Sequence, residues 1–239
     1  IAWGTPREQV AYMAQQLTEE TVTKLVSNAI ERYGIGNVAM SGGLFSNVKA
    51  NMEIKDLKGV KDWFVFPHMG DGGIAMGAAM QANYLLNGIS SYQFNDSYLG
   101  LEFSNEQVHD ALKKSSGLEY NAENKKASHA GDLVNDDNYV FWFQGRMEYG
   151  PRALGNRSIL AKAGSEEVKE KLNIFVKQRE WYQPFAPAMI REDAPRLLEG
   201  LKGSGKFMTM VYKVREKNRD QMKSVMHVDL TARPQIVED

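Results

Sequence analysis

Val38-Ala39-Met40-Ser41-Gly42-Gly43 and, further on, Trp63-Phe64-Val65-Phe66-Pro67 followed by Gly70-Asp71-Gly72-Gly73 decide the fold class. Each is a short apolar run broken by glycines. Such runs read as buried strands, because a strand of four or five residues is long enough to cross a core and glycine ends it. Residues 44–54 and 74–86 follow with helical spacing of their apolar positions. The order is strand, glycine turn, helix, repeated once, which predicts an α/β unit with both glycine turns at the strand ends.

Upstream, the apolar residues of 7–33 recur at mostly helical spacing and Gly34 closes the run, predicting a long helix. Downstream, 87–100 is polar and lacks periodicity, which places a boundary near residues 88–96 and two domains at 1–92 and 93–239. Within the second, 105–114, 122–134, 165–175 and 191–201 read as helices. Residues 139–143, 186–190 and 207–214 read as strands.

Composition narrows the function. The chain has 239 residues, 43% of them hydrophobic and 25% charged, which predicts a folded globular protein and excludes disorder as its main state. It has no cysteine, excluding disulfides, thiolate metal sites and a cysteine nucleophile. No apolar run is long enough to span a bilayer and no charged-then-apolar leader opens the chain, so a cytoplasmic location is expected. The net charge of −1, from 29 basic and 30 acidic residues, argues against a dedicated nucleic-acid surface. The chain starts at isoleucine and stops at Asp239 without an obvious final element, which reads as a portion of a longer protein.

Three segments could carry chemistry. The turns at Gly42-Gly43, ending at Asn47, and at Gly70-Asp71-Gly72 stand before helices, where glycine lets backbone N–H groups approach an anion. Asp71 could hold a metal or cap its helix. The most informative stretch is Gln144-Gly145-Arg146-Met147-Glu148-Tyr149-Gly150-Pro151-Arg152-Ala153-Leu154-Gly155-Asn156-Arg157-Ser158, with three arginines against one acid in a loop stiffened by glycine and proline. Guanidinium groups match phosphate and carboxylate oxygens in a bidentate way. A second basic group, Lys177-Gln178-Arg179-Glu180, leads into Pro184-Phe185-Ala186-Pro187 and reads either as basic residues complementing the dipole of a last helical turn or as part of a shaped pocket wall. His68, His109, His129 and His227 form no pair at metal-ligand spacing.

Taken in order, these motifs resemble the O-carbamoyltransferases of nodulation-factor and antibiotic biosynthesis (NodU/CmcH type). The residues that carry the resemblance are Ser41-Gly42-Gly43-Leu44-Phe45-Ser46-Asn47, Met69-Gly70-Asp71-Gly72-Gly73 and Gly145 to Ser158. Lys177-x-Arg179-Glu180, Pro184-Phe185-Ala186-Pro187 and His227-Val228-Asp229-x-Thr231-Ala232-Arg233 complete it. The resemblance covers nearly the whole chain. It implies the C-terminal part of an actin-like ATPase (ASKHA) domain over 1–92, followed by a YrdC-like α/β domain, truncated at its C-terminus, over 93–239.

It further implies that carbamoyl phosphate and ATP give carbamoyl adenylate in the second domain. The carbamoyl group then passes to an acceptor hydroxyl at the first. Arg146, Arg152, Arg157, Lys177, Arg179 and Arg233 would surround carbamoyl phosphate or the adenylate, with Arg152 and Lys177 catalytic. Gly42, Gly43, Asn47, Gly70 and Gly72 would contact nucleotide, and Asp71 would bind a divalent metal, iron by resemblance, with magnesium accompanying ATP. The family's histidine pair is not in this chain, and Gln183 stands where the family pattern carries arginine. Transfer to an alcohol is therefore not expected from this portion alone. The partners implied are carbamoyl phosphate, ATP and a hydroxyl-bearing small molecule, without membrane or nucleic acid and with a homo-oligomer left open. The alternatives are a threonylcarbamoyl-type tRNA-modification protein and a non-enzymatic phosphometabolite-binding module.

Overall fold

The computed structural model describes residues 4–122, 124–203 and 205–238. Ile1 and Asp239, the chain ends read above as those of a portion, lie outside the described residues. The first half follows the expected order. Helix α1 (Arg7–Tyr33) starts after Pro6 and ends at Gly34, whose φ of 70° is left-handed and whose N–H returns to the Ile30 carbonyl at 2.8 Å. Strand β1 (Asn37–Met40) runs into a 3₁₀ turn, Gly43–Ser46. Helix α2 (Val48–Lys55) then begins afresh because the Asn47 side chain caps it, accepting from the Ala50 N–H. Strand β2 (Asp62–Val65) pairs in parallel with β1, and helix α3 (Asp71–Asn87) closes the unit at Gly88.

In the second half, helix α4 (Asn105–Lys114) opens with a reciprocal capping box between Ser104 and Gln107. Helix α5 is Lys126–Asn135; Glu123, within the segment predicted as helical, is outside the described residues. Strand β3 (Val140–Phe143) pairs antiparallel with β4 (Arg157–Leu160). Helix α6 (Glu166–Lys171) passes into a π-turn, Leu172–Val176. Strand β5 (Ala188–Ile190), helix α7 (Ala194–Leu197) and strands β6 (Tyr212–Lys213), β7 (Thr231–Ala232) and β8 (Gln235–Val237) follow, with 3₁₀ turns at Glu216–Asn218 and Asp220–Val225 between β6 and β7.

The expected actin-like ATPase part and YrdC-like domain are not what the chain forms. It is a small α/β fold whose described strands pair only two at a time: β1 with β2, β3 with β4, β5 with β8, and β6 with β7. A large curled or closed sheet needs longer strands paired on both edges, and the described strands have two to four residues each. Proline supplies part of the reason. Pro67 follows β2, Pro187 precedes β5 and Pro234 precedes β8, each removing a ladder donor at a strand end. The predicted strand over 207–214 shrinks to β6 because Met208 takes a φ of 54°. Its apolar residues are buried all the same, Met210 and Val211 among them, but in irregular backbone. The helix predicted over 191–201 is reduced to α7.

One apolar core draws on both ends of the chain. Met40, Ala50, Ile54, Val65 and Met69 pack with Met189, Leu198, Met210, Val214 and Ile236. A smaller cluster joins Leu154, Phe207 and Met208 to Phe94. Helix α3 is apolar but contributes no buried residue, and its Leu85 and Leu86 are 71% and 81% exposed. Among the described residues no helix is long and apolar enough to cross a membrane.

Candidate functional site

The arginine loop is built around a buried acid. Glu148 Oε1 accepts the backbone N–H groups of Leu154, Asn156 and Arg157 at 2.9, 2.7 and 3.1 Å. Three N–H bonds outweigh the burial that would raise its pKa, and hold the carboxyl below the usual glutamate value of 4.5. The turn that brings these donors round needs Gly155 at a φ of 107°, where a side chain would be strained. The Leu154 carbonyl is fastened from two further directions, by Tyr98 Oη at 3.0 Å and Gln235 Nε2 at 2.7 Å.

This frame forms one wall of a cavity of about 750 Å³. Arg152, Lys177, Arg179 and Arg233 line it, with Lys162 and Lys169, and among the described residues that line it none is acidic. Pro184-Phe185-Ala186-Pro187 forms another wall, and Trp142, Leu160 and Leu172 give the cavity an apolar part. Arg179 is held in place: its Nε–H donates to Asn173 Oδ1 at 2.7 Å and its guanidinium lies 4.6 Å over the Phe185 ring. Arg152 Nε is buried and has no hydrogen-bond partner among the described residues.

Arg233 feels the other two guanidiniums. Burial first, then the charges of Arg152 and Arg179, bring the Arg233 pKa from 12.5 down to about 10. Burial alone lowers those of Arg152 and Arg179. Desolvated like charges with an unpartnered donor and no acid on the walls are a standing cost, which a bound anion would relieve. The turn before Arg233 is ordered by Asp229, which accepts from the Thr231 hydroxyl at 2.6 Å and pairs with His227 at 3.0 Å.

Two of the six expected cations do not line this cavity. Arg146 donates to the carbonyls of Gly100 and Leu99. Arg157 donates to those of Gln144 and Gly145 and stacks 3.5 Å over Phe143. Both guanidiniums secure backbone. The residues that sequence reasoning missed are Glu148 and Asn173. The first was visible as the single acid in the arginine loop; nothing in the sequence singled out the second.

The glycine turns lie together elsewhere. The Gly42 N–H donates to the Met69 carbonyl at 2.7 Å, bringing the two turns into contact. A Cβ on Gly72 would fall 1.9 Å from His68 Nε2, which that side chain can relieve by moving, whereas a Cβ on Gly73 would fall 2.1 Å from the His68 carbonyl oxygen, so close backbone packing demands glycine at 73. A Cβ on Gly43 or Gly70 would meet nothing within 4 Å, and neither backbone is left-handed. Neither sterics nor conformation in the chain itself explains those two glycines. Asn47 caps α2 and exchanges side-chain hydrogen bonds with Gln15. Asp71 is exposed in the first turn of α3. Among the described residues no group of three or more His, Asp or Glu side chains could hold a metal, so the donor set around Asp71 does not fit the expected ion. Tyr149 ties the two regions: its Oη donates to the Gly72 carbonyl at 2.7 Å.

Residues 3–80 match the model described as Carbamoyltransferase N-terminus, and residues 131–239 match Carbamoyltransferase C-terminus. The chain belongs to the carbamoyltransferase family. It is 37% identical over 239 residues to an uncharacterised protein of Methanocaldococcus jannaschii, covering 97% of this chain and 39% of that one. It is 34% identical to nodulation protein NolNO of Sinorhizobium fredii, covering 93% and 34%, respectively. It is 33% identical to a 3'-hydroxymethylcephem-O-carbamoyltransferase of Streptomyces clavuligerus, covering 98% and 43%. This carbamoyltransferase-family chain thus spans less than half the length of these curated relatives.

Proposed function

We propose that the cavity binds carbamoyl phosphate and ATP, and that the chain is part of an ATP-dependent O-carbamoyltransferase acting on a hydroxyl-bearing small molecule. The observation that carries this reading is the acid-free cavity with three desolvated guanidiniums. Carbamoyl phosphate is a small dianion. Converging arginines would bind its phosphate and stabilise the charge that develops on phosphate oxygens. The cavity of about 750 Å³ is far larger than that ligand requires, and its apolar part around Trp142 and Leu172 suits a nucleobase. Carbamoyl phosphate and water would give carbamate and phosphate. A carbamate oxygen would then displace pyrophosphate from ATP, leaving carbamoyl adenylate. Arg152 and Lys177 are the cations proposed to act on the reacting phosphates.

In this reading residues 93–239 activate the carbamoyl group and residues 1–92 receive it. The open space at Gly43 and Gly70 leaves room for a ligand against the backbone of the second site. Titration calorimetry of the chain with carbamoyl phosphate, with and without ATP, tests the proposal. Binding of carbamoyl phosphate, together with pyrophosphate release only when both ligands are present, is the expected result. Saturation by ATP with no response to carbamoyl phosphate would refute it.

A further inference from the structure

We propose that Glu148 is a positioning residue for the anion site, acting through Arg152. The inference rests on the carbamoyl phosphate reading above, which leaves Glu148 without a role.

An acid nine-tenths buried in a loop of cations could be a general acid, a counter-ion or a structural pin. Its hydrogen bonds decide. Oε1 takes three backbone N–H groups, from residues six, eight and nine positions later in the chain. Those bonds favour the ionised form, so there is no proton to give at neutral pH. Its recorded partners are backbone amides and not a guanidinium, so its first task is geometric.

What it fixes is the turn that presents Arg152. That arginine lies between the carboxylate and Leu154. Leu154 is held through its N–H by Glu148 and through its carbonyl by Tyr98 and Gln235. Its side chain is 4% exposed in the cluster with Phe207 and Met208. With both ends of the Glu148-to-Leu154 segment secured, Arg152 has little freedom to retreat from the cavity, although its Nε has no partner there. A donor held ready without a partner is the preorganised arrangement that an incoming phosphate exploits. Arg179 is held at the cavity by a separate route, its Nε–H bonded to Asn173 Oδ1. Loss of Glu148 should therefore loosen Arg152 and leave Arg179 in place.

The test is a double-mutant cycle read by calorimetry with carbamoyl phosphate. Glu148→Gln should weaken binding by about tenfold. In an Arg152→Ala background the same change should cost nothing further, because the group it positions is gone. An equal loss in both backgrounds would overturn the proposal. Glu148→Asp, which keeps the charge but shortens the reach, runs the same cycle should Glu148→Gln fail to fold. A second readout needs no ligand. In the free protein the Arg152 Nε–H resonance should shift on Glu148→Gln while that of Arg179 stays. Equal movement of both would mean general loosening and would also overturn it. If wild-type protein ignores carbamoyl phosphate, the functional reading fails, and the resonance measurement still decides whether Glu148 positions Arg152.

Discussion

Asn173 holds Arg179 by accepting its Nε–H at 2.7 Å, while the Asn173 amide donates to the carbonyls of Trp181 and Gln183 at 3.0 and 2.9 Å. One fully buried side chain thus sets both the arginine and the bend that leads into the Pro184–Pro187 wall. Asn173→Ala would leave two carbonyls and a guanidinium N–H without their partner. The expected loss is about 2–4 kcal/mol of stability, read by urea denaturation, with weaker phosphate binding at temperatures where the variant is still folded.

Inorganic phosphate should raise the melting temperature, and chloride at equal ionic strength should not. At a hundredfold excess over its dissociation constant the gain should be about 2.7 kcal/mol. Arg233→Met removes the most desolvated of the three guanidiniums. Ligand-free stability should hold or rise by up to about 1 kcal/mol, and the phosphate response should disappear. Differential scanning calorimetry reads both; a phosphate response that survives Arg233→Met would place the anion elsewhere.

Arg152→Ala should weaken carbamoyl phosphate binding by about 2–4 kcal/mol, and Arg152→Lys should recover only part of it. An ammonium restores the charge but not the planar pair of donors. Unchanged affinity in the alanine variant, measured by calorimetry, would remove Arg152 from the site.

Acid should weaken the fold through Glu148. Its folded pKa lies below the ordinary 4.5, so its contribution is complete above the unfolded value and is lost as pH falls through the folded one. Glu148→Gln should be less stable at neutral pH by about 1–3 kcal/mol and should lose less stability between neutral pH and pH 3 than wild type. Chemical denaturation at a series of pH values measures the difference in slope.

Gln183→Arg should tighten carbamoyl phosphate binding about fivefold if the new guanidinium reaches the cavity beside Pro184. Weaker binding in that variant would mean that glutamine suits this cavity better than arginine.

Parts of this architecture are plain in the sequence because local chemistry fixes them. Gly34 stops α1, and the Ser104–Gln107 pair starts α4, wherever the rest of the chain goes. The strand, turn and helix order gives the α/β class, but the larger sheets that the resemblance implies do not form among the described residues, because strand pairing is not local. Residues 38–40 and 63–65 pair as adjacent parallel strands, but two such strands need not extend into a larger sheet. Strands β7 and β8 have too few residues to show an alternating pattern. At the site, the motif spacing marks a cationic loop but not the direction of each side chain. Arg152 faces the cavity and Arg146, six positions earlier, binds the Gly100 carbonyl; only the turn held by Glu148 separates the two outcomes.

The shared core has a consequence for synthesis. Met40, Ile54 and Val65 emerge before Leu198, Val214 and Ile236 and must wait for them to be covered. Closure across so long a stretch of chain is slow and leaves apolar surface open meanwhile. The same late segment supplies Arg233 to the cavity and sends Gln235 to the Leu154 carbonyl. A chain truncated before this segment therefore has neither a closed interior nor a finished anion cavity. A defective copy of this kind is open to degradation and would not compete with intact molecules for ligand.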